Sequence, residues 1–285
     1  MKARVPASSA NLGPGFDVLA VALSLYVTVE IEPADSFSMR STGCGAGTFD
    51  GDDHLAVRIA RDILGHSRFS LTIDSQIPVA RGLGSSAAVA IAAAAAAASS
   101  SPVDAGIDVD GHAENAVASA FGGLVAARVT PELTWRHLPL DERWRFVVAI
   151  PDQELSTDDA RAALPATVPF ADAVSNIGGV ALLLAGLANC DAYVPRAMHD
   201  CLHQPYRSHL LPAATTLMAT MVDAGAYDAC WSGAGSTMLA LSTEEGSEAI
   251  ATALEARMGE LSLPGSVHIL RADREGIVLT PSRSD

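Results

Sequence analysis

The sequence predicts an α+β fold, on three observations. In several short segments apolar residues alternate with polar ones, the period-two pattern of a strand with one wet face. Other segments place apolar residues at helical spacing and end at a glycine. The two kinds of segment are interleaved along the chain with no internal repeat, which suits sheets and helices that share cores.

Each element follows in chain order. Ala3–Val5 and Val18–Ile31 read as strands around a Gly/Pro/Asn loop, with Val27, Val29 and Ile31 alternating with Thr28, Glu30 and Glu32. His54–Leu64 reads as a helix on Leu55, Ile59 and Ile63, stopped by Gly65. Phe69–Ile73 is a strand, and the turn-rich Ile77–Ser86 runs into an alanine-rich helix. Ser99–Val109, rich in Ser, Pro, Asp and Gly, reads as a loop. Ala113–Phe121 reads as a helix, and Leu124–Val129 and Phe146–Ile150 as strands. A boundary near residue 150 divides the chain into two domains, 1–150 and 151–285. The second carries helices near Asp158–Leu164, Ala171–Leu187 and Ala213–Ala224, and strands at Ala226–Trp231, Thr237–Leu241 and Val267–Ala272.

Composition narrows the function. A net charge of −15 over 285 residues repels nucleic-acid phosphates, so no nucleic-acid partner is expected. Lys2 is the only lysine. A Walker-type phosphate loop, the lysine of eukaryotic-type protein kinases and a pyridoxal Schiff base are thereby excluded. Cys44, Cys190, Cys201 and Cys230 have no CxxC spacing and read as buried free thiols of a cytoplasmic protein. The longest apolar run, Ala87–Ala98, is shorter than the ~20 residues that span a bilayer, so no membrane partner is expected.

The strongest local feature is Gly82-Leu83-Gly84-Ser85-Ser86-Ala87-Ala88 opening a helix. Paired glycines let the backbone turn sharply and approach a ligand. The free N–H groups and dipole of the following first turn make an anion site. Ser85 and Ser86 add hydroxyls for phosphate or for Mg²⁺. The same pattern also suits an ordinary helix start capped by serine.

The segment Ile77–Ala88 resembles the phosphate loop of the GHMP kinases. Two further blocks agree, Pro6-Ala7-Ser8-Ser9-Ala10-Asn11-Leu12-Gly13-Pro14-Gly15-Phe16-Asp17 and Ser232-Gly233-Ala234-Gly235-Ser236. Within that group the chain looks most like the homoserine kinases, through Ser156–Pro165, through His203-Gln204-Pro205-Tyr206-Arg207, and through Gly111-His112-Ala113-Glu114-Asn115 followed by Phe121-Gly122-Gly123. The resemblance implies an N-terminal domain like ribosomal protein S5 and a C-terminal ferredoxin-like α/β sandwich. It implies ATP-dependent phosphorylation of the side-chain hydroxyl of L-homoserine with Mg²⁺, in a homodimer.

The resemblance also distributes roles. Pro78, Arg81, Gly82, Leu83, Gly84, Ser85, Ser86 and Ala87 would hold ATP, and Ser86 with Asp110 would hold Mg²⁺. The substrate would be bound by Asn11, Asp17, His112, Asn115, Thr157, Arg161, Arg207 and Gly235, with Asn11, Asp17, Asn115 and Arg161 closest to the chemistry. The residue types fit a zwitterion. Guanidinium groups at Arg161 and Arg207 grip a carboxylate bidentately, Asp17 pairs with an α-ammonium, and the asparagines reach a hydroxyl. Thr157 reads as a helix cap one turn before Arg161. Bland readings of the same residues are an Arg161–Asp158 surface pair, a surface Arg207, a turn residue at Asp17 and a structural His203.

The chain departs from its relatives at the metal side. Asp110, or Asp104, stands where a glutamate is usual, His-Ala-Glu-Asn replaces His-Pro-Asp-Asn, and Ser99–Asp110 is short, as if a helix were missing. Two alternatives therefore stay open: a related kinase for another hydroxylated amino acid or alcohol, and a degenerate homologue that binds without turnover.

Overall fold

The computed structural model describes residues 1–48 and 50–282. In chain order its elements are β1 (Lys2–Ala10), β2 (Leu19–Pro33), β3 (Ser38–Gly43), α1 (Leu55–Leu64), β4 (Phe69–Ser75), α2 (Ser85–Ala96), α3 (Pro102–Asp110), α4 (Glu114–Phe121), β5 (Leu124–Arg128), β6 (Thr134–Leu138) and β7 (Trp144–Pro151). There follow α5 (Thr157–Ala162), α6 (Phe170–Ala188), α7 (Gln204–Arg207), α8 (Ala213–Asp223), β8 (Asp228–Trp231), β9 (Met238–Thr243), α9 (Glu244–Glu260), β10 (Gly265–Leu270) and β11 (Val278–Thr280). The α+β expectation holds.

Seven strands form one sheet, with β11-β1-β2-β4-β3 in order and β5 and β6 paired beyond β2. The hairpin β1–β2 is antiparallel and shifts register between Pro6 and Ala7, as expected where a proline offers no N–H to the ladder. β3 and β4 pair in parallel, which needs a crossover, and α1 supplies it. His54 accepts from the Ala56 N–H at the start of α1, and the Gly65 N–H returns to the Arg61 carbonyl at 2.8 Å. The second sheet runs β10-β7-β9-β8.

β7 joins the two cores. Phe146, Val148 and Ile150 face the cluster under the first sheet, while Val147 and Ala149 face the second cluster beneath α8 and α9. Alternation along one strand thus feeds both. At the centre of the first cluster lies α2, whose alanines from Ala87 to Ala96 are all buried. A helix apolar on every side must be enclosed. Alanine lets β1, β2, α1, α3 and α4 all come close to it.

Three sequence expectations are corrected here. Ser99–Val109 is not a loop, because Pro102–Asp110 forms α3 with Pro102 in its first turn and Gly111 as a left-handed C-cap. Its Pro and Gly are the punctuation of a short helix. Thr157 is not the cap of α5. Ser156 is, accepting from the Asp159 N–H at 3.0 Å. The polar β3 and β6 and the weakly amphipathic α9 had no clear periodic signal. Only Cys190 and Cys230 of the four cysteines are buried, and Cys44 is exposed.

Candidate active site

Three sequence blocks meet at the N-terminus of α2. Gly82 and Gly84 both have left-handed φ, +73° and +66°. A Cβ on Gly82 would strike the Ser232 carbonyl, and one on Gly84 would strike Ser8 Oγ. Glycine is required there by conformation and by close approach alike. Ser232 Oγ donates to the Gly82 carbonyl at 2.6 Å and lies 2.8 Å from Ser9 Oγ, while the Gly233 N–H donates to Ala10 at 3.0 Å. The first and third blocks thereby clamp the loop. Gly84, not a serine, occupies the N-cap, and no side chain caps the helix. The hydroxyls of Ser85 and Ser86 and the first-turn N–H groups are left for an anion.

The cavity in front of this turn has a volume of about 380 Å³, within the 300–1,000 Å³ range of small-molecule sites. Its lining includes Asn11, Asp17, Arg81, Gly82, Gly84, Ser85, Ser86, Asp110, His112, Asn115, Thr157, Arg161, Arg207 and Gly235. Pro78, Leu83 and Ala87 fall outside it, Leu83 and Ala87 being fully buried with their side chains in the core. Arg81 is turned away from the helix start. It binds the Pro151, Val79 and Asp152 carbonyls and lies 3.5 Å from Glu154, so it ties the loop to β7 instead of presenting a free charge.

Arg161 and Asp17 form a bidentate pair, at 3.0 and 2.8 Å, and each is a little over one-third exposed. The Asp158 alternative for Arg161 is not realised. This hydrogen bonding to Asp17 raises the Arg161 pKa. Asn11 holds the turn from which Asp17 projects. Its carbonyl accepts the Asp17 N–H at 3.0 Å, and its amide donates to the Gly233 carbonyl at 2.9 Å. Both ends of Asn11 are therefore committed to structure. Asn115 accepts from Ser8 Oγ at 2.9 Å, and among the described residues its amide N–H₂ has no partner.

Arg207 is buried, not a surface residue. Its Nε donates to Ala160, and its Nη1 lies 3.1 Å from His203 Nδ1 and 3.2 Å from the Gly233 carbonyl. Burial, with Arg161 nearby, pulls its pKa down to about 10, still charged at neutral pH. His203 is fully buried, its Nε2 is 2.9 Å from the Gly13 carbonyl, and its ring stacks on Phe16 at 5.0 Å. It does not line the cavity. Burial lowers its pKa, and it acts as a structural link between the Gly13 loop and Arg207.

Asp110 lines the cavity, whereas Asp104 is exposed on the other side of α3. Burial pushes the Asp110 carboxyl up to about 6. Sequence reading missed Glu114. It is 1% exposed, and its Oε1 lies 2.7 Å from His112 Nδ1. Among the described residues its other oxygen, Oε2, is buried with no partner. Burial alone would lower the His112 pKa, but the Glu114 carboxylate overrides this and raises it. The signal was a carboxylate in the first turn of a helix that starts inside a recognised block. Phe16 was missed as well. Its ring lies 5.3 Å from the Arg207 guanidinium carbon, a cation–π arrangement.

Residues 54–124 match the family described as GHMP kinases N terminal domain, and residues 183–260 match GHMP kinases C terminal. A homoserine kinase of Moorella thermoacetica is 42% identical over 253 residues, covering 83% of this chain and 86% of the relative. One from Thermus thermophilus is 39% identical, covering 90% of this chain and 91% of its own length. The crystal structure of homoserine kinase from Cytophaga hutchinsonii superimposes with a TM-score of 0.84 at 26% identity, over 98% of this chain and 96% of that one. A mevalonate kinase of L. major in complex with R-mevalonate shares the fold, with a TM-score of 0.71 at 15% identity over 97% and 96% of the two chains.

Proposed function

The chain belongs to the homoserine kinases of the GHMP kinase family, and from that premise we propose that it transfers the γ-phosphoryl group of ATP to the side-chain hydroxyl of L-homoserine. One observation carries the reading: a phosphate-type helix start and a paired arginine–aspartate clamp open into the same cavity. The division of labour follows the halves of the chain, with the phosphate loop in residues 1–150 and both clamp arginines in 151–285.

The free clamp neutralises itself. A zwitterionic amino acid replaces that internal pair with two external ones: its carboxylate takes Arg161 and Arg207, and its ammonium takes Asp17. Ligand charge is thus exchanged for protein charge at little net cost. Asn115 offers its free N–H to the hydroxyl oxygen, Thr157 supports the clamp from α5, and Asn11 keeps Asp17 in position. The N–H groups at the start of α2, with Ser85 and Ser86, hold the phosphates. Attack of the hydroxyl oxygen forms the new O–P bond as the bond to ADP breaks. Positioning and charge neutralisation carry this reaction. The hydroxyl proton becomes acidic late in a loose transition state, and the Glu114 carboxylate stands in the cavity to receive it.

The donor set suits Mg²⁺. Ser86 and Asp110, both in the cavity lining, would hold the ion through hard oxygen ligands. When bound it supplies neutralisation of phosphate charge. The degenerate, non-catalytic reading drew on the short 99–110 segment; that segment forms α3, which places Asp110 in the cavity lining. The thiols, none of them paired, suit a cytoplasmic setting.

The test is ATP consumption by the purified protein with Mg²⁺ on L-homoserine, L-threonine, L-serine and mevalonate. Strong preference for L-homoserine is expected. Turnover confined to another acceptor overturns the substrate, and ligand binding without turnover overturns the reaction.

A further inference from the structure

Arg207 is the buried arm of the clamp, 2% exposed. A guanidinium is a donor only, with its N–H groups in a rigid fork. Here Nε donates to the Ala160 carbonyl, and Nη1 reaches both His203 Nδ1 and the Gly233 carbonyl. Among the described residues Nη2 makes no hydrogen bond, and Arg207 lines the cavity. The protein therefore fixes one side of the fork and leaves the other for a ligand.

This arrangement determines the state of His203. Facing a pure donor, Nδ1 has to accept and carries no proton. The ring proton then sits on Nε2 and donates to the Gly13 carbonyl at 2.9 Å. A proton on Nδ1 would set donor against donor and cation beside cation. The charged groups facing the ring are Asp200 on its own turn, 3.5 Å from Nε2, Arg207 on α7, and Asp17 on the loop after β1. Burial outweighs the two carboxylates and lowers the His203 pKa, which keeps Nδ1 an acceptor. The ring is also held in place. It stacks on Phe16, and its turn is built by Asp200, whose carboxylate accepts the N–H groups of Leu202, His203 and Gln204 at 2.9, 3.0 and 2.7 Å.

We propose that His203 is a positioning residue of the clamp: its Nδ1 turns the Arg207 fork so that Nη2 faces the substrate carboxylate, and its Nε2–H ties that arm to the loop carrying Asp17. The assignment rests on the zwitterion clamp proposed above. It gives one carboxylate oxygen to Arg207 Nη2 and leaves the other for Arg161. A histidine kept only for packing would need its ring and nothing at Nδ1.

Two substitutions separate these roles. His203→Asn retains an acceptor, Oδ1, near the place of Nδ1 and gives up the ring. His203→Phe retains the ring on Phe16 and gives up the acceptor. Both lose the bond to Gly13. Calorimetric titrations of the full chain with L-homoserine, and separately with ATP and Mg²⁺, compare them. His203→Phe should weaken L-homoserine binding by about tenfold or more, the weight of one hydrogen bond to a charged group. His203→Asn should recover most of that loss, with ATP affinity within about twofold of wild type in both. Homoserine affinity that is no better in the asparagine variant, or that falls in step with ATP affinity, would overturn the proposal. Nitrogen-15 NMR of the histidine rings in wild-type protein at neutral pH needs no variant. The most slowly exchanging ring should carry its proton on Nε2 with Nδ1 bare, and a proton on Nδ1 would overturn the proposal. Wild-type protein that binds no L-homoserine would overturn the substrate reading instead, and the ring nitrogens would still judge His203.

Discussion

Replacing Arg161 with alanine removes one half of the clamp, and the structure sets the size of the loss. A charge-assisted hydrogen-bonded contact between guanidinium and substrate carboxylate contributes about 1.5–3 kcal/mol. Against that stands the internal pair with Asp17, which the substrate must displace. Both side chains are more than one-third exposed, so this pair is worth only about 0–1 kcal/mol. The net loss is about 0.5–3 kcal/mol, or roughly 2- to 160-fold in kcat/KM for L-homoserine. Arg207, buried and held by Ala160, His203 and Gly233, keeps part of the carboxylate grip and prevents complete loss. The assay is steady-state kinetics with two acceptors, L-homoserine and 3-aminopropan-1-ol, which lacks the carboxylate. The substitution should penalise the first acceptor and leave the second almost unchanged, with KM for ATP within about twofold. Equal penalties on both acceptors, or a selective rise in KM for ATP, would refute the clamp.

Three further expectations follow from named contacts. Gly82→Ala forces a side chain into left-handed backbone at a cost of about 1–2 kcal/mol and drives it against the Ser232 carbonyl; a lower melting temperature and a KM for ATP raised more than that for homoserine should result. Asn176→Ala leaves the Pro14 carbonyl and the Cys201 N–H without their side-chain partners, at about 1–3 kcal/mol, and should raise KM for homoserine more than for ATP, read from paired saturation curves. Asp110→Asn tests the buried carboxyl, whose pKa is raised from 3.8 to about 6. A raised pKa means stability fully present below pH 3.8 and lost as pH rises through 6. The neutral asparagine keeps that stability, so the variant should unfold later in urea than wild type at pH 8, by on the order of 1–3 kcal/mol, with the difference gone near pH 4.

Much of the site was legible because its chemistry sits in contiguous blocks. The spacing of Gly82–Ala88 suits a phosphate turn and an ordinary helix start alike, and it was the resemblance of their blocks that marked Asp17, Arg161 and Arg207 as the proposed zwitterion clamp. All of these except the core-facing Leu83, Ala87 and Ala88 open into one cavity. The illegible part depended on where side chains turn. Nothing in the spacing shows that Arg81 folds back onto the Val79 and Pro151 carbonyls, or that both ends of Asn11 are spent on its own turn. Glu114 lay inside a recognised block, but its burial beside His112 comes from the packing of α4 against β1 and α2. In the fold, α3 was hidden because Pro, Asp and Gly mark short helices and loops alike. Strand β7 was legible as a strand, but its service to two cores emerges only when both sheets are assembled.

The central claim is phosphoryl transfer from ATP to the hydroxyl of L-homoserine, and phosphorus NMR of the reaction mixture tests it most directly. Loss of the ATP γ resonance should be matched, one for one, by a new phosphomonoester signal coupled to the side-chain methylene protons of homoserine, with ADP as the other product. Release of inorganic phosphate alone, or an unchanged ATP spectrum in the presence of L-homoserine and Mg²⁺, would contradict it.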